Sequence, residues 1–392
     1  MEFPRRTHHI CLVSEQTLPN YLGAIVPDAF PKKVHLVVTS RMKERADILQ
    51  KALEARGCGV EQYALAEPHP DAVMEVLDRI YEKTGADVAV NVTGGTKVMA
   101  LTAVEWASIQ DKPPFLFYVD TDSRQILQIG GQMGKCEMRT ALNVADILYA
   151  GAGHKVIKNK NTPLNKEERD GVDALLGLFL KNTEALKLFN ACAANAKKSS
   201  YRVLLPFNPP KEFLEALDIA KTLEKLDFTA DKISYPTENA LEWCNGVWLE
   251  DYVKKTLYQM KADKLIDDWG SGVEIDYRNP LFHTKKGDSK NELDGVFTCR
   301  NRLFLIECKT INLERKPNSS KPENTLEDAI YKLDSLNKTL GGALSRKMLV
   351  SVFKPRLQDI QRCEDLNINL LYGSDLLKLE DKLKSWIQNA NR

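Results

Sequence analysis

The sequence has no excess of charge of either sign: 55 Lys and Arg residues oppose 54 Asp and Glu residues, which leaves a formal net charge of +1. No field from the whole protein attracts a polyanion, so any contact with nucleic acid must come from local patches. The sequence also lacks an apolar run of the roughly 18–20 residues that a membrane-spanning helix needs, and it lacks the apolar region of a signal peptide. These absences predict a protein without membrane association.

The cysteines and histidines form no metal-binding or disulfide pattern. The eight cysteines are scattered, and none belongs to a Cys-x-x-Cys pair. Cys11 and Cys308 lie inside apolar runs, as small core residues do. This pattern favours reduced thiols in the cytoplasm over a zinc site or a disulfide framework. His8 and His9 open the first strand-like run, where an edge position or a buried core position explains them.

The first part of the chain alternates strand-like and helical segments. The composition is that of ordinary globular proteins, and 392 residues predict two or three domains. Strands that alternate with helices of 10–15 residues predict a parallel sheet covered by helices on both faces. Ligands of such sheets bind where the strands end. The strand-like segments are 8–14, 33–40, 59–66, 86–92 and 114–121.

Two of these strand ends are polar. "SEQTLPN", residues 14–20, follows the first strand, and "NVTGGTK", residues 91–97, follows the fourth and leads directly into a helix. Gly94 and Gly95 let backbone N–H groups approach a ligand closely, and a helix N-terminus favours anions. The segment is neither a Walker A loop nor a dinucleotide-binding Gly-x-Gly-x-x-Gly motif. It fits a phosphate cradle, or equally a tight strand-to-helix turn without a ligand.

The strand that runs into "NVTGGTKVMA", together with the "SEQ" and "PN" residues of the first loop, resembles the CRISPR-associated Rossmann-fold (CARF) domain. We assign this domain to residues 1–150. The resemblance implies that the domain binds a cyclic oligoadenylate, a second messenger of type III CRISPR systems, at a homodimer interface. A cyclic tetra-adenylate with two-fold symmetry suits a two-fold interface, because each subunit supplies the same loops. The implied ligand-binding residues are Ser14, Gln16, Asn20, Thr93, Gly94, Gly95, Thr96 and Lys97, with Asp120 and Thr121 as further candidates.

Residues 151–236 predict a linker and then a helical or winged-helix-like connector. The first fifteen of these residues are rich in Gly, Lys and Asn. Asn165 can cap the next helix, with Glu168 three residues later reaching back to complete a capping box. A winged helix could contact DNA through Lys197 and Lys198, but a solvated lysine pair on a connector explains these residues better.

Residues 291–310, "NELDGVFTCRNRLFLIECKT", predict a β-hairpin that ends in charged residues. Successive side chains of a strand face opposite sides. If a two-residue turn at Arg300–Asn301 closes the hairpin, apolar residues pair with apolar ones along its length. Asp294 then lies opposite Glu307 at the far end. A one-residue slip would turn these side chains to the other face.

Two carboxylates placed together destabilise each other, and burying either one is costly. A divalent cation resolves this conflict, and oxygen ligands suit Mg²⁺ or Mn²⁺. Lys309, beside Glu307, can orient or help to deprotonate an attacking water and offset charge on a phosphate. The alternative is a surface ion pair at a frayed strand end, which the apolar run before Glu307 disfavours.

A third carboxylate belongs to a predicted helix at residues 243–257. Glu250 lies in the middle of the apolar stripe of this helix, where a carboxylate needs a partner. Lys254, one turn later, is a possible structural partner. The functional alternative is that Glu250 is a third ligand of the metal or of its water.

An Asp, then Glu-x-Lys on the adjacent strand, with a Glu-bearing helix before them, resembles the PD-(D/E)xK restriction-endonuclease-like superfamily. We assign this nuclease domain, an α/β domain, to residues 237–392. Leu293 stands where many members have the proline of the motif. The resemblance implies Glu250, Asp294, Glu307 and Lys309 as catalytic residues, and Glu250, Asp294 and Glu307 as the metal ligands.

The two resemblances together are those of cyclic-oligoadenylate-activated CARF nucleases of type III CRISPR defence. They imply a homodimer, activation by cyclic tetra-adenylate, and Mn²⁺ or Mg²⁺ as the catalytic ion. The implied substrate is single-stranded DNA or RNA, with nicking of supercoiled DNA also plausible. The Lys-rich segment 285–292 could contact phosphates through Lys285, Lys286 and Lys290, although a solvated loop explains it more simply.

Two other functions remain open at the level of sequence. In the first, the CARF domain is itself a ring nuclease that degrades the cyclic oligoadenylate. In the second, the protein is a ligand-responsive nucleic-acid-binding regulator whose nuclease fold is inactive. The complete set of three acids and a lysine argues against the regulator.

Overall fold

The computed structural model describes residues 3–26, 30–131, 134–276, 290–310, 326–340 and 345–390. The chain forms two compact units, the first made mainly of Met1–Lys155 and the second mainly of Val156–Thr339 and Ala343–Ala390. The three-domain division, with boundaries after residues 150 and 236, stays a prediction. No helix in the described ranges is long and apolar enough to cross a membrane.

The first unit contains a seven-stranded sheet with the order β3-β2-β1-β4-β5-β6-β7. The first five strands of this order pair in parallel, which confirms the predicted sheet. The last two add an antiparallel edge that the sequence pattern did not predict. The strands are β1 (His8–Leu12), β2 (Lys33–Thr39), β3 (Gly59–Leu65), β4 (Val88–Asn91), β5 (Phe115–Asp120), β6 (Gln125–Gln128) and β7 (Lys135–Glu137).

Helices connect the parallel strands of this unit, as the alternating pattern predicts. Apolar residues from α3, α4 and the sheet form a buried core, in which Trp106 is the largest side chain. Strand β1 is central, so the buried-core interpretation applies to His9, which has no exposed surface. Burial lowers the pKa of His9 to about 3 and keeps the ring neutral. The helices are α1 (Leu18–Ala24), α2 (Lys43–Glu54), α3 (Pro70–Thr84), α4 (Lys97–Ser108) and α5 (Val144–Ala152).

The second unit begins with the connector, which combines helices with a small antiparallel sheet of order β10-β11-β9. The predicted capping box is present: Asn165 accepts a hydrogen bond from the N–H of Glu168, whose carboxylate accepts one from the N–H of Asn165. The elements are α6 (Lys166–Lys181), α7 (Thr183–Ala196), β9 (Arg202–Leu204), α8 (Lys211–Thr222), β10 (Asp227–Phe228) and β11 (Lys232–Ser234).

A six-stranded mixed sheet forms the rest of this unit, with the order β16-β15-β14-β13-β12-β8. Strands β14, β15 and β16 are parallel, and the other pairs are antiparallel. Its strands are β8 (Val156–Lys158), β12 (Asp268–Asp276), β13 (Lys290–Cys299), β14 (Arg302–Lys309), β15 (Ser345–Ser351) and β16 (Ile368–Tyr372). Its helices are α9 (Glu238–Glu242), α10 (Trp248–Ala262), α11 (Leu326–Leu340), α12 (Leu357–Asp365) and α13 (Leu379–Ala390).

Aromatic side chains anchor the centre of this sheet. Phe297 of β13 and Phe304 of β14 are cross-strand neighbours, and their rings stack with centroids 4.5 Å apart. Trp386 of α13 meets both rings edge-on. Such contacts make the β13–β14 hairpin a rigid base for the side chains at its open end.

Candidate functional site

The β13–β14 hairpin has the register that the sequence predicts. Its two-residue turn is Arg300–Asn301, with φ values of 54° and 61° that match the twist of the strands. Val296 pairs with Leu305, and the described pairs continue to Gly295 with Ile306. The next residues in this register are Asp294 and Glu307, so the two acids meet at the open end of the hairpin.

Asp294 is buried and held by the neighbouring strand. Its Oδ2 accepts a hydrogen bond of 2.8 Å from the backbone N–H of Cys308, and 8% of the residue is exposed. Burial, and next the charge of Glu307, raise the pKa of Asp294 to about 7. Without a cation, this carboxyl group is therefore partly protonated at neutral pH.

Glu307 is bound by two lysines, although only 2% of the residue is exposed. Its Oε1 lies 2.7 Å from Nζ of Lys309, and its Oε2 lies 2.8 Å from Nζ of Lys332. Burial works against the charge of Lys309, but Glu307 and Asp294 outweigh it and raise the pKa of this lysine. The result excludes a frayed strand end, because the carboxylate of Glu307 is buried and paired with two partly buried lysines.

Glu250 belongs to the same electrostatic group as the two hairpin acids. It lies in the first turn of α10. Burial is the main cause that raises its pKa well above the usual range, followed by the charges of Asp294 and Glu292. Lys254 forms an ion pair of 3.9 Å with Asp251, the neighbour of Glu250. The raised pKa of Glu250 indicates that its carboxyl group lies near the hairpin acids, and its membership of a three-acid ligand set stays a prediction.

The helix that carries Glu250 does not start as predicted. Residues Trp243–Val247 form a single π-helical turn, in which Gly246 has a φ of 142°. A Cβ atom at Gly246 would lie 2.7 Å from Oγ1 of Thr310, the residue after Lys309. Asn190 of α7 donates from its side-chain amide to the carbonyl of Thr310 at 2.8 Å. The turn before Glu250 and the connector thus both hold the end of strand β14.

The carboxylates fit a hard divalent cation by their chemistry. In the ranges that the structure describes, no three His, Cys, Asp or Glu side chains are already spaced as a complete ligand set. Mg²⁺ commonly uses only one or two carboxylates, with waters and a substrate phosphate as its other ligands. Asp294 and Glu307 meet this requirement, and a cation between them would favour the ionised form of Asp294.

The metal-free protein gives a pH-dependent test of this carboxyl group. An unfolded aspartate ionises near pH 4, but folded Asp294 holds its proton until about pH 7. The folded state therefore binds more protons between these values, and Asp294 costs stability as pH rises. We expect Asp294→Asn to stabilise the metal-free protein by on the order of 2–3 kcal/mol more at pH 8 than at pH 5.

Urea unfolding of the chelator-treated protein at both pH values measures this difference. Asp227→Asn is a matched control, because Asp227 is exposed and an ion pair with Lys221 lowers its pKa. If Asp294→Asn raised the free energy of unfolding equally at the two pH values, the carboxyl group of Asp294 would not titrate as expected.

In the first unit, the loops after β1 and β4 meet. A Cβ atom at Gly94 would lie 2.1 Å from the carbonyl oxygen of Leu12, and within 3.2 Å of side-chain atoms of Asn20 and Ser14. Gly95 has a φ of 76°, which favours glycine. The structure thus brings Ser14, Asn20 and Gly94 together, and only a residue without a side chain fits at position 94.

The polar side chains of these loops divide into two groups. Asn20 and Thr93 hold the loops, since Asn20 donates to the carbonyl of Leu12 at 2.8 Å and Thr93 accepts from the N–H of Val119 at 2.7 Å. Asp120 likewise binds its own turn through Ser123. The exposed residues of the predicted set are Gln16, Thr96 and Lys97.

Thr96 also caps helix α4, by accepting a hydrogen bond of 3.2 Å from the N–H of Met99. Its hydroxyl hydrogen stays available to an acceptor on a ligand. Lys97 follows directly and places its charge at the helix start. An exposed lysine at the N-terminus of a helix makes an anion-binding surface.

Sequence reasoning missed Lys332, which binds one oxygen of Glu307. The sequence of α11 contains an indication of this lysine, because Lys332 lies beside the apolar stripe of Ala329, Leu333 and Leu336, which is buried. A helix after the Glu-x-Lys strand that packs on the same sheet can bring such a lysine over the strand. Of the three lysines predicted to contact phosphates, Lys285 and Lys286 lie outside the described residues, as does the side chain of Lys290.

A Rossmann-like domain with a glycine-lined loop, followed by an α/β domain in which buried acids are paired with lysines, is the arrangement of a ligand-sensing nuclease. Two family models match the chain: the Card1 CARF domain over residues 8–147 and the Card1-like endonuclease domain over residues 237–390. Together they span most of the chain, which therefore carries a Card1 CARF domain and a Card1-like endonuclease domain. No curated protein matches the sequence.

Solved structures share this architecture over nearly the whole chain. Protein VC1899 from Vibrio cholerae has 22% identity and a TM-score of 0.82, with 98% of each chain covered. Can2 from Sulfobacillus thermosulfidooxidans, solved with cyclic tetra-adenylate, has 25% identity and a TM-score of 0.78, with 97% of this chain and 99% of that one covered. A type III CRISPR defence DNA nuclease activated by cyclic oligoadenylate has 20% identity and a TM-score of 0.52, with 90% of this chain and 45% of that one covered.

Proposed function

We propose that this protein is a cyclic tetra-adenylate-activated, divalent-metal-dependent endonuclease of type III CRISPR antiviral defence. One observation carries the nuclease part of the proposal: Asp294 and Glu307 are buried side by side, with Lys309 bound to Glu307. Burial of like charges is tolerated when a cation or a proton compensates them. The arrangement is the one expected of a PD-(D/E)xK nuclease.

In this proposal, Asp294 and Glu307 hold Mg²⁺ or Mn²⁺, and Glu250 binds the ion or a water attached to it. The ion supplies a Lewis acid for the phosphate and lowers the pKa of a bound water. Lys309 stays protonated beside Glu307, so it stabilises negative charge and orients the water rather than taking its proton. Cys308 and the strand around it keep Asp294 directed to this point.

The activator would bind at the carboxyl ends of β1 and β4. Cyclic tetra-adenylate carries four phosphates, and Lys97 at the N-terminus of α4 offers positive charge to bind them. Gly94 and Gly95 allow the backbone to approach closely, and Ser14, Gln16 and Thr96 supply hydrogen-bonding groups. The two-fold symmetry of the ligand fits a homodimer in which each subunit contributes the same loops. The complex of Can2 with this ligand supports the assignment.

The substrate in this proposal is single-stranded DNA or RNA, with nicking of supercoiled DNA as a further reaction. The near-neutral net charge of the chain implies that substrate is captured locally at the nuclease site. We place the reaction in the cytoplasm. The eight cysteines form no disulfide bond in the described part of the chain, and seven of them are buried. Reduced thiols of this kind are typical of a reducing compartment.

The test combines purified protein, labelled cyclic tetra-adenylate and labelled nucleic acid in the presence of Mn²⁺. We expect cleavage of nucleic acid only when both the activator and the ion are present, and loss of cleavage on chelation. Degradation of the activator without cleavage of nucleic acid would instead identify a ring nuclease. Binding of nucleic acid with neither reaction would identify a regulator.

A further inference from the structure

We propose that Lys332 of α11 is a second cationic residue of the nuclease site, one that acts through Glu307 and through the field it creates at the bound phosphate. This inference rests on the proposed metal-dependent nuclease function. The PD-(D/E)xK resemblance implies no role for this lysine. The evidence is the ion pair between its Nζ and Oε2 of Glu307, at 2.8 Å.

The contact is different from an ordinary surface ion pair. The side chain of Glu307 is only 3% exposed, so the pair is formed with a buried carboxylate. Lys309 holds the other oxygen of Glu307. Lys332 and Lys309 therefore hold the two oxygens of one proposed metal ligand.

Helix α11 fixes Lys332 in this place. Ile330 and Leu333 on either side of it are buried in the core. Two residues later, Asp334 forms an ion pair of 2.8 Å with Lys347 of β15, whose side chain is 6% exposed. Strand β15 is the neighbour of β14, the strand that carries Glu307. A charge held on such a rigid element is preorganised, and preorganised charge is what stabilises a transition state.

A fixed positive charge beside Glu307 has two opposite consequences. It repels a divalent cation and competes with it for Oε2, so it weakens cation binding in the absence of nucleic acid. It also attracts the phosphate and stabilises the added negative charge of the transition state. Loss of the charge should therefore strengthen cation binding and slow the reaction. A residue that only supports the fold would change both properties in the same direction.

The experiment uses the full-length protein with Lys332→Met, Lys332→Arg and the matched control Lys384→Met. Lys384 also lies on a helix and is similarly half-exposed, but its ion pair is with the surface residue Glu380. Calorimetry or electron paramagnetic resonance measures Mn²⁺ binding without nucleic acid. Cleavage with cyclic tetra-adenylate present gives kcat and KM, and thermal unfolding reports the fold of each variant.

We expect Lys332→Met to bind Mn²⁺ about threefold to tenfold more tightly and to lower kcat by about tenfold to a hundredfold. Lys332→Arg keeps the charge and should recover much of the rate, and Lys384→Met should match wild type. Any other outcome for Lys332→Met overturns the proposal. Such outcomes include a loss of both Mn²⁺ affinity and kcat, and wild-type values for both. If wild type neither binds Mn²⁺ nor cleaves, the proposed function fails and the assignment of Lys332 falls with it.

Discussion

Glu307→Gln should abolish cleavage of nucleic acid, with a loss on the order of a thousandfold, while binding of cyclic tetra-adenylate stays unchanged. The amide has nearly the same shape as the carboxylate but carries no charge. It removes one of the two negative ligands of the proposed cation and leaves Lys309 and Lys332 without their shared partner. Both effects act at the nuclease site. Cleavage rates with activator and Mn²⁺, with calorimetry for the activator, measure the two outcomes.

Glu380→Gln is the matched control for this substitution, since it makes the same chemical change in a surface ion pair with Lys384. It should cleave as wild type does. Thermal unfolding of both variants separates a folding defect from a catalytic one. Cleavage by Glu307→Gln at even a tenth of the wild-type rate would remove this residue from the mechanism.

Gly94→Ala should remove activation by cyclic tetra-adenylate, with binding weakened by about a hundredfold or more. The new Cβ atom would meet the carbonyl oxygen of Leu12 at 2.1 Å, which is backbone and cannot rotate away. The loops after β1 and β4 must therefore separate, and the predicted contacts of Ser14 and Thr96 lose their spacing. A loss of ligand geometry of this kind costs several kcal/mol of binding, where about 1.4 kcal/mol is a factor of ten.

Calorimetry of activator binding and cleavage at saturating activator measure this effect. Gly177→Ala is the control, because Gly177 lies in α6 and an added Cβ atom there meets no atom within 4 Å. It should leave both activities unchanged. Wild-type affinity of Gly94→Ala for the activator would show that the ligand binds elsewhere on the protein.

The parts of the nuclease site that sequence predicts are those set by the period of a strand. Two alternating apolar runs and a two-residue turn are sufficient to place Asp294 opposite Glu307, because a strand repeats every two residues. The turn residues fit as well, since Asn is common at positive φ. The structure confirms this register from the turn as far as Gly295 and Ile306, the residues next to the two acids.

The remaining part depends on contacts between elements that are distant in sequence. Lys332 binds Glu307 across a separation of 25 residues, and no local period predicts that contact. The same holds for Asn190 and Thr310, which are 120 residues apart. The π-helical turn before Glu250 was missed for a related reason, because the conformation of Gly246 follows from its close approach to Thr310.

In the first unit, sequence predicts the loops but not the separate tasks of their side chains. Polar residues at the ends of parallel strands point to a ligand site. They do not reveal that the side chains of Asn20 and Thr93 form hydrogen bonds with the backbone and so stabilise the loops, whereas Lys97 is exposed to a ligand. That distinction needs the positions of Leu12 and Val119, which local patterns do not give.

The two lysines on Glu307 also affect how a cation enters. Each oxygen of this carboxylate already has one partner, so its side chain is immobilised in a single orientation before any ion arrives. A flexible glutamate would lose rotamer freedom worth about 1–2 kcal/mol when it became a ligand. Here that entropy is lost during folding. When an ion binds, Glu307 exchanges its contacts with the lysines for contacts with the ion.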